Sequence, residues 1–239
     1  MIKKPIIYFV WFIMLAYSSC AFADGSTVSK IYHPYVQILE KEIEYRTVYF
    51  EDPDKTVDGT SSHQFGYGQA LSDKFFAEFY VVGKDTPTES FELESYELEL
   101  KWQLSEQGQY ANDWGLLFEL EKETDYDVWE LASTLIGLHE WPDWTATGNL
   151  SLIYEWGRDI ENEIETAFSA QLRYRYDEKF EPAIELYQSQ DTSGIGPVVG
   201  GLFRLSQGRK LNWDFGTIFG VKDSSPRVSW KLNLEYEFR

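Results

Sequence analysis

The last residues of the chain set the strongest limit on its fold. Val228, Trp230, Leu232, Leu234, Tyr236 and Phe238 alternate with Ser229, Lys231, Asn233, Glu235 and Glu237, and only Arg239 follows. Successive side chains of a strand point to opposite faces, so this segment has one apolar, aromatic-rich face and one polar, charged face. The same two-faced pattern recurs along most of the sequence, which predicts an all-β fold.

Twelve strand segments can be read this way, with ten or fourteen as the other counts left open. The first sets Leu39, Ile43, Tyr45 and Tyr49 against Glu40, Glu42, Glu44 and Arg46. Short segments follow at Gln64 to Ala70 and at Lys74 to Val82, the latter with Phe75, Ala77, Phe79 and Val81 together. In the fourth, Tyr96, Leu98, Leu100, Trp102 and Leu104 oppose Glu97, Glu99, Lys101 and Gln103. In the fifth, Trp114, Leu116, Phe118 and Leu120 oppose Glu119 and Glu121. The sixth, Val128 to Glu140, alternates too poorly for its faces to be assigned.

The pattern recovers in the seventh, from Trp144 to Trp156. The eighth sets Ile164, Phe168, Ala170, Leu172, Tyr174 and Tyr176 against Glu163, Glu165, Ser169, Gln171, Arg173 and Arg175. Phe180 to Gln188 follows, where Pro182 argues against regular pairing. Next comes Val198 to Leu205, whose Gly200 and Gly201 suggest a bulge or a close backbone approach. Leu211 to Val221 and the C-terminal strand complete the set. With a periplasmic mature N-terminus, the polar stretches 51–63, 83–89, 122–127, 157–162, 189–194 and 222–227 become outer loops. The alternate connections are then tight turns, except at 105–112. Short turns on one side and longer loops on the other are the pattern of membrane barrels. An even strand count closes the sheet and leaves no edge.

The N-terminus reads as a secretory signal peptide over residues 1–23. Lys3 and Lys4 precede an apolar run from Ile6 to Ala16, and Ala21-Phe22-Ala23 fits cleavage before Asp24. The run is shorter than the roughly 20 residues a spanning helix needs. Lipidation of Cys20 is a second option, with Tyr17 a poor fit to that signal. After cleavage at Ala23 no cysteine remains, so neither a disulfide nor a thiolate metal site is expected. Residues 24–239 then form one domain, with no linker or composition break. Losing Lys3 and Lys4 makes the formal charge of −19 more negative by two, which argues against nucleic acid as a partner.

A soluble barrel would turn its apolar faces inward, whereas a transmembrane one turns them to lipid. The apolar faces run five or six positions, as membrane crossing requires, and aromatics gather toward strand ends. Aromatic residues make up 17% of the chain, too many bulky rings to fill a small core without overpacking. A single closed antiparallel transmembrane β-barrel is therefore expected. The segment Val228 to Phe238, with Trp230, Leu232, Leu234, Tyr236 and Phe238 in alternation, resembles the C-terminal signal read by the barrel-assembly machinery of the bacterial outer membrane. Arg239 departs from it, because that signal usually ends on the aromatic residue. More loosely, the chain is similar to small transporter-like barrels of Gram-negative bacteria. These resemblances imply outer-membrane lipid and the assembly machinery as partners.

With apolar faces on lipid, Glu40, Glu42, Glu44, Arg46, Glu97, Glu99, Lys101, Glu119, Glu165, Arg173, Arg175, Lys231 and Glu235 become candidates for lining the lumen. Acids outnumber bases there, and carboxylates in a water-filled pore favour cations. A passive or gated passage for small cationic or polar solutes is the leading expectation. The alternative is a non-conducting structural or interaction barrel, its lumen plugged by Glu40, Glu42 and Glu44 against Arg173 and Arg175. A lipid-modifying enzyme ranks third, since His33, His63 and His139 show no nucleophile pattern and only His63 with Ser62 merits a test. No cofactor, catalytic group or metal centre is expected; the loop Glu51-Asp52-Pro53-Asp54 offers at most weak capture of hard cations.

Overall fold

The computed structural model describes residues 28–55, 58–88, 90–158, 160–190 and 192–239. The signal peptide expected over 1–23, with Cys20 and its cleavage site, lies outside the described residues. Among the described residues, alternating segments become twelve strands. They are β1 (Lys41–Glu51), β2 (Ser61–Ala70), β3 (Phe75–Asp85), β4 (Glu92–Gln103), β5 (Asp113–Glu123) and β6 (Val128–Glu140). The second half comprises β7 (Trp144–Gly157), β8 (Glu163–Tyr174), β9 (Glu181–Gln188), β10 (Ser193–Arg204), β11 (Lys210–Gly220) and β12 (Val228–Phe238). Each strand pairs antiparallel with its neighbours in sequence, and β1 pairs with β12 from Lys41↔Phe238 to Glu51↔Val228, closing the barrel.

The burial pattern gives the direction of the faces. In β1, Glu42, Glu44, Arg46, Val48 and Phe50 are buried inside while Ile43 and Tyr49 are exposed outside. In β4, Glu97 and Glu99 are buried and Tyr96, Leu98 and Trp102 exposed. The exterior is an apolar belt with aromatic contacts near both rims. Trp144 packs on Tyr174 at 4.9 Å and Phe75 on Trp102 at 5.6 Å at one rim, and Tyr154 on Trp156 at 5.3 Å at the other. Such a belt suits lipid rather than water. Trp230, Leu232, Leu234, Tyr236 and Phe238 lie on this outer face of β12, with Tyr236 opposite Ile43 and Leu234 opposite Tyr45.

Several sequence expectations are corrected. Leu39 belongs to no strand; it stands exposed at φ 64° in the turn that leads into β1. Strands extend into stretches read as loops, so loops of four to nine residues at one end face turns of three to nine at the other. The expected contrast in length is absent. Gly200 and Gly201 form no bulge, since β10 and β11 stay in register. Gly201 instead marks a close approach: a Cβ there would lie 2.3 Å from the backbone oxygen of Lys179. The bulge falls between Val82 and Gly83, where the β3–β4 register shifts. Pro182 is accommodated because the β8–β9 ladder stops one residue short of it, at Arg173↔Ala183.

β6 explains its own poor alternation. Its inner face holds Ala132, Ile136 and Leu138 and its outer face Leu131 and Leu135, so both faces are partly apolar. Ile136 packs inside the barrel with Leu117 of β5 and Tyr32. An inward apolar position requires an apolar partner in the lumen. That partner is the chain's own N-terminal segment.

Candidate functional site

Residues 28–40 carry no strand alternation, yet Val28, Ile31, Tyr32 and Pro34 are buried. They thread the barrel. Val28 and Ile31 pack with Val48, Phe50, Ala183, Tyr187, Val198 and Ile218, toward the loop end of the lumen. From there the segment descends to Gln37, whose carbonyl accepts the Glu40 N–H as the chain turns into β1. Buried backbone polar groups need partners, and inward side chains supply them. The Asn149 amide accepts the Tyr32 N–H at 2.8 Å and donates to the Tyr32 carbonyl at 3.0 Å. Gln103 accepts the Val36 N–H at 2.7 Å, and the Tyr35 hydroxyl donates to Asp113 at 2.7 Å. Pro34 sits against Gly115, where a Cβ would come within 3.0 Å of the Pro34 Cα.

Charges bind the segment further. Lys30 Nζ donates at 2.8 Å to Glu44 and at 2.8 Å to Glu235. Arg46 donates from Nε to Glu44 at 2.7 Å, and its terminal nitrogens reach the hydroxyls of Tyr32 at 2.8 Å and Tyr80 at 2.5 Å. Tyr80 Oη also lies 2.6 Å from Glu78. Across the lumen, Lys231 Nζ reaches the Ser29 carbonyl and Glu185 at 3.0 Å each, with Asp214 at 3.4 Å. These buried ions compensate one another, which burial demands.

The segment lies between two cavities of different charge. The first, about 260 Å³, is lined by Glu97, Glu119, Glu121, Glu130, Glu155 and Glu165, with Lys30 and Arg46 as its cations. Register builds its acidic wall: Glu97↔Glu121, Glu121↔Glu130, Glu130↔Glu155 and Glu155↔Glu163 stand opposite one another across β4 to β8. The second, about 620 Å³, lies toward the turn end. It mixes Lys30, Arg173, Arg175, Arg204 and Lys231 with Glu178, Glu181, Glu185, Asp214 and Glu235. His33 also lines it.

The inward candidates from the sequence fall into these groups. Glu44, Arg46 and Glu235 meet around Lys30, Glu97 and Glu119 line the acidic cavity with Glu165, and Glu99 lies buried beside them. Lys101 lies 5.1 Å over the Phe76 ring. Glu42 stands opposite Glu237, and Glu40 accepts the Gln37 N–H at 3.2 Å. The expected plug of Glu40, Glu42 and Glu44 against Arg173 and Arg175 does not form. Arg173 pairs with Glu181 at 3.3 Å and Arg175 with Glu140 at 2.5 Å. Glu130 was missed, because the faces of β6 could not be assigned from its composition. The lumenal role of residues 28–40 left one kind of signal, inward apolar residues such as Val48, Phe50, Leu117, Ile136 and Ile218.

His63 and Ser62 point to opposite faces of β2 and make no catalytic pair, as adjacent strand residues must. His63 lies on the outer wall between the Tyr45 hydroxyl at 2.9 Å and Asp85 at 3.2 Å. His139 meets Asn112 at 2.8 Å near the turn end.

No family model matches the chain, and no curated protein matches it. Solved structures do. An outer membrane channel from Pseudomonas putida F1 superposes with a TM-score of 0.60 at 14% identity, over 88% of this chain and 98% of that one. The translocator domain of the autotransporter NalP from Neisseria meningitidis gives 0.53 at 11% identity, over 85% and 89%. The NanC porin gives 0.52 at 10% identity, over 82% and 99%. The fold is that of an outer-membrane β-barrel. At these identities the likeness extends to the fold alone.

Proposed function

We propose that this barrel sits in the outer membrane and passes small cationic or polar solutes, with residues 28–40 as the element that restricts passage. The acidic row from Glu97 to Glu163 carries this reading. Facing carboxylates on neighbouring strands repel one another, and a sequence tolerates that where the space they enclose holds water and cations. The mixed-charge cavity toward the turn end offers the cation no comparable well, so capture on the loop side is followed by weaker holding beyond the segment. Outer-membrane lipid covers the apolar belt, and Trp230 to Phe238 serve assembly of the barrel.

Recording the purified mature chain in a planar bilayer under a KCl gradient tests the reading. A conductance whose reversal potential favours K⁺ is expected, with transitions between closed and open levels. Silence from folded protein refutes it. A second reading, a non-conducting barrel, draws support from the ion pairs and apolar contacts around Lys30 and Ile31, and silence would favour it.

A further inference from the structure

We propose that Glu97, Glu99 and Glu119 form a binding site for a hard divalent cation at the base of the acidic cavity. One carboxylate oxygen from each of the three lies within 4.8 Å of the others. Two oxygens on opposite sides of a calcium ion, each about 2.4 Å from it, are about 4.8 Å apart, so this spread suits one ion. The strands hold the arrangement: Glu99 and Glu119 are directly opposite across β4 and β5, and Glu97 lies two residues before Glu99 on the same face. Glu97 and Glu119 also line the cavity, which gives an ion its entry.

A second feature points to the ion. Glu99 is 1% exposed, and its Oε1 accepts the Tyr32 hydroxyl at 2.5 Å and faces Arg46 at 3.6 Å. Its Oε2 is buried with no hydrogen-bond partner among the described residues. An orphaned carboxylate oxygen at such depth is costly unless a cation or donor meets it. The other buried carboxylate triplet makes the contrast. Glu42, Glu44 and Glu78 are also grouped within 4.8 Å, but Lys30 and Arg46 both reach Glu44, and Tyr80 lies against Glu78. There the chain supplies its own cations. Around Glu97, Glu99 and Glu119 it supplies one edge of Arg46, whose closest carboxylate contact is Glu44 at 2.7 Å. With all three carboxylates ionised around a bound ion, part of one guanidinium would leave close to two negative charges, the complement of a divalent ion. Thr134 Oγ1, 3.3 Å from Glu119, adds a neutral oxygen at the site's edge, and water completes the shell of an ion that takes six to eight oxygens.

The binding claim stands on this geometry; its consequence for transport rests on the cation-passage reading above. The test is calorimetric titration of the folded, detergent-solubilised mature protein with CaCl₂, alongside Glu99→Gln, Glu119→Gln and Glu155→Gln. One Ca²⁺ per barrel is expected. Glu99→Gln and Glu119→Gln should each weaken it by about tenfold or more, while Glu155→Gln, farther along the acidic row, changes it less than about twofold. Absence of binding by folded wild type overturns the site, as does equal weakening by all three variants, which marks diffuse screening. Should Glu99→Gln fail to fold, judged by heat-dependent gel mobility, Glu119→Gln decides. Bilayer recordings separate the two ideas. K⁺-selective current without Ca²⁺ binding sinks the site alone, and Ca²⁺ binding in a silent barrel sinks the transport reading alone.

Discussion

Lys30 bridges Glu44 and Glu235, which stand directly opposite one another on β1 and β12, at 2.8 Å from each. These are the two strands whose pairing closes the barrel. Like charges directly opposite in a sheet destabilise it, so an ammonium from the lumenal segment neutralises a repulsion at the closure itself. Seating of residues 28–40 and closure of the wall are thereby coupled.

Removing that ammonium should therefore weaken the whole barrel. Lys30→Met is expected to cost on the order of 3 kcal/mol, the scale for stripping one partner from a buried ion pair. Urea titration followed by gel mobility measures it. A double variant with Glu235→Gln should recover part of the loss, since Glu44 keeps Arg46 at 2.7 Å and Glu235 is the carboxylate that loses its cation. An unchanged urea midpoint in Lys30→Met argues against the coupling.

Asn149→Ala should free the lumenal segment without touching a charge. It strands both the N–H and the carbonyl of Tyr32, at roughly 1–3 kcal/mol. Even the low end corresponds to about a fivefold gain in open-state occupancy. Bilayer recordings at constant voltage give the open fraction, and no rise in it counts against residues 28–40 as the restriction.

Gly115→Val approaches the same segment from the wall. A Cβ at this position meets Pro34 at 3.0 Å, and the two added methyls have no room. Overpacking of this kind costs about 1–3 kcal/mol, and here it is relieved by expelling Pro34. Faster protease cleavage near residues 28–40 is the expected readout. Gly148→Ala serves as the control, because its Cβ has ordinary contact at 3.7 Å.

Charge reversal at Glu130 should move selectivity more than reversal at Glu181. Glu130 stands between Glu121 and Glu155 in the acidic row, whereas Glu181 is matched by Arg173 in the mixed cavity. Under a KCl gradient, Glu130→Lys is expected to shift the reversal potential toward Cl⁻, and Glu130→Gln to shift it less. Equal shifts from Glu130→Lys and Glu181→Lys would remove the acidic row from the pathway.

Much of the wall is legible in the sequence. The termini of β6 and β12 match the segments Val128 to Glu140 and Val228 to Phe238 read from alternation and turn residues. The faces of β1, β4, β5 and β8 were assigned correctly, because a period of two is a local property of the chain. Strand ends were less visible, since a polar residue such as Ser62 suits a loop and an inward strand face equally.

The site was legible only as an inward set of acids. Alternation says that Glu97, Glu121 and Glu155 face one way, and pairing register alone places them in a row with Glu130 between. Arg173 was expected to meet acids of β1, but the nearest acid in the fold comes from the adjacent β9. In a barrel, the partner of an inward charge depends on which strands adjoin and on how far they are staggered.

The amino-acid sequence by itself determined the two-faced strands, their even number and the closed wall, because side-chain alternation and the absence of tolerated edges act along the chain or between sequence neighbours. Tertiary structure alone decided that residues 28–40 fill the lumen and divide it into an acidic and a mixed-charge space. That segment has no periodic pattern to announce it, and its partners, from Glu44 to Glu235, converge only when the first and last strands meet.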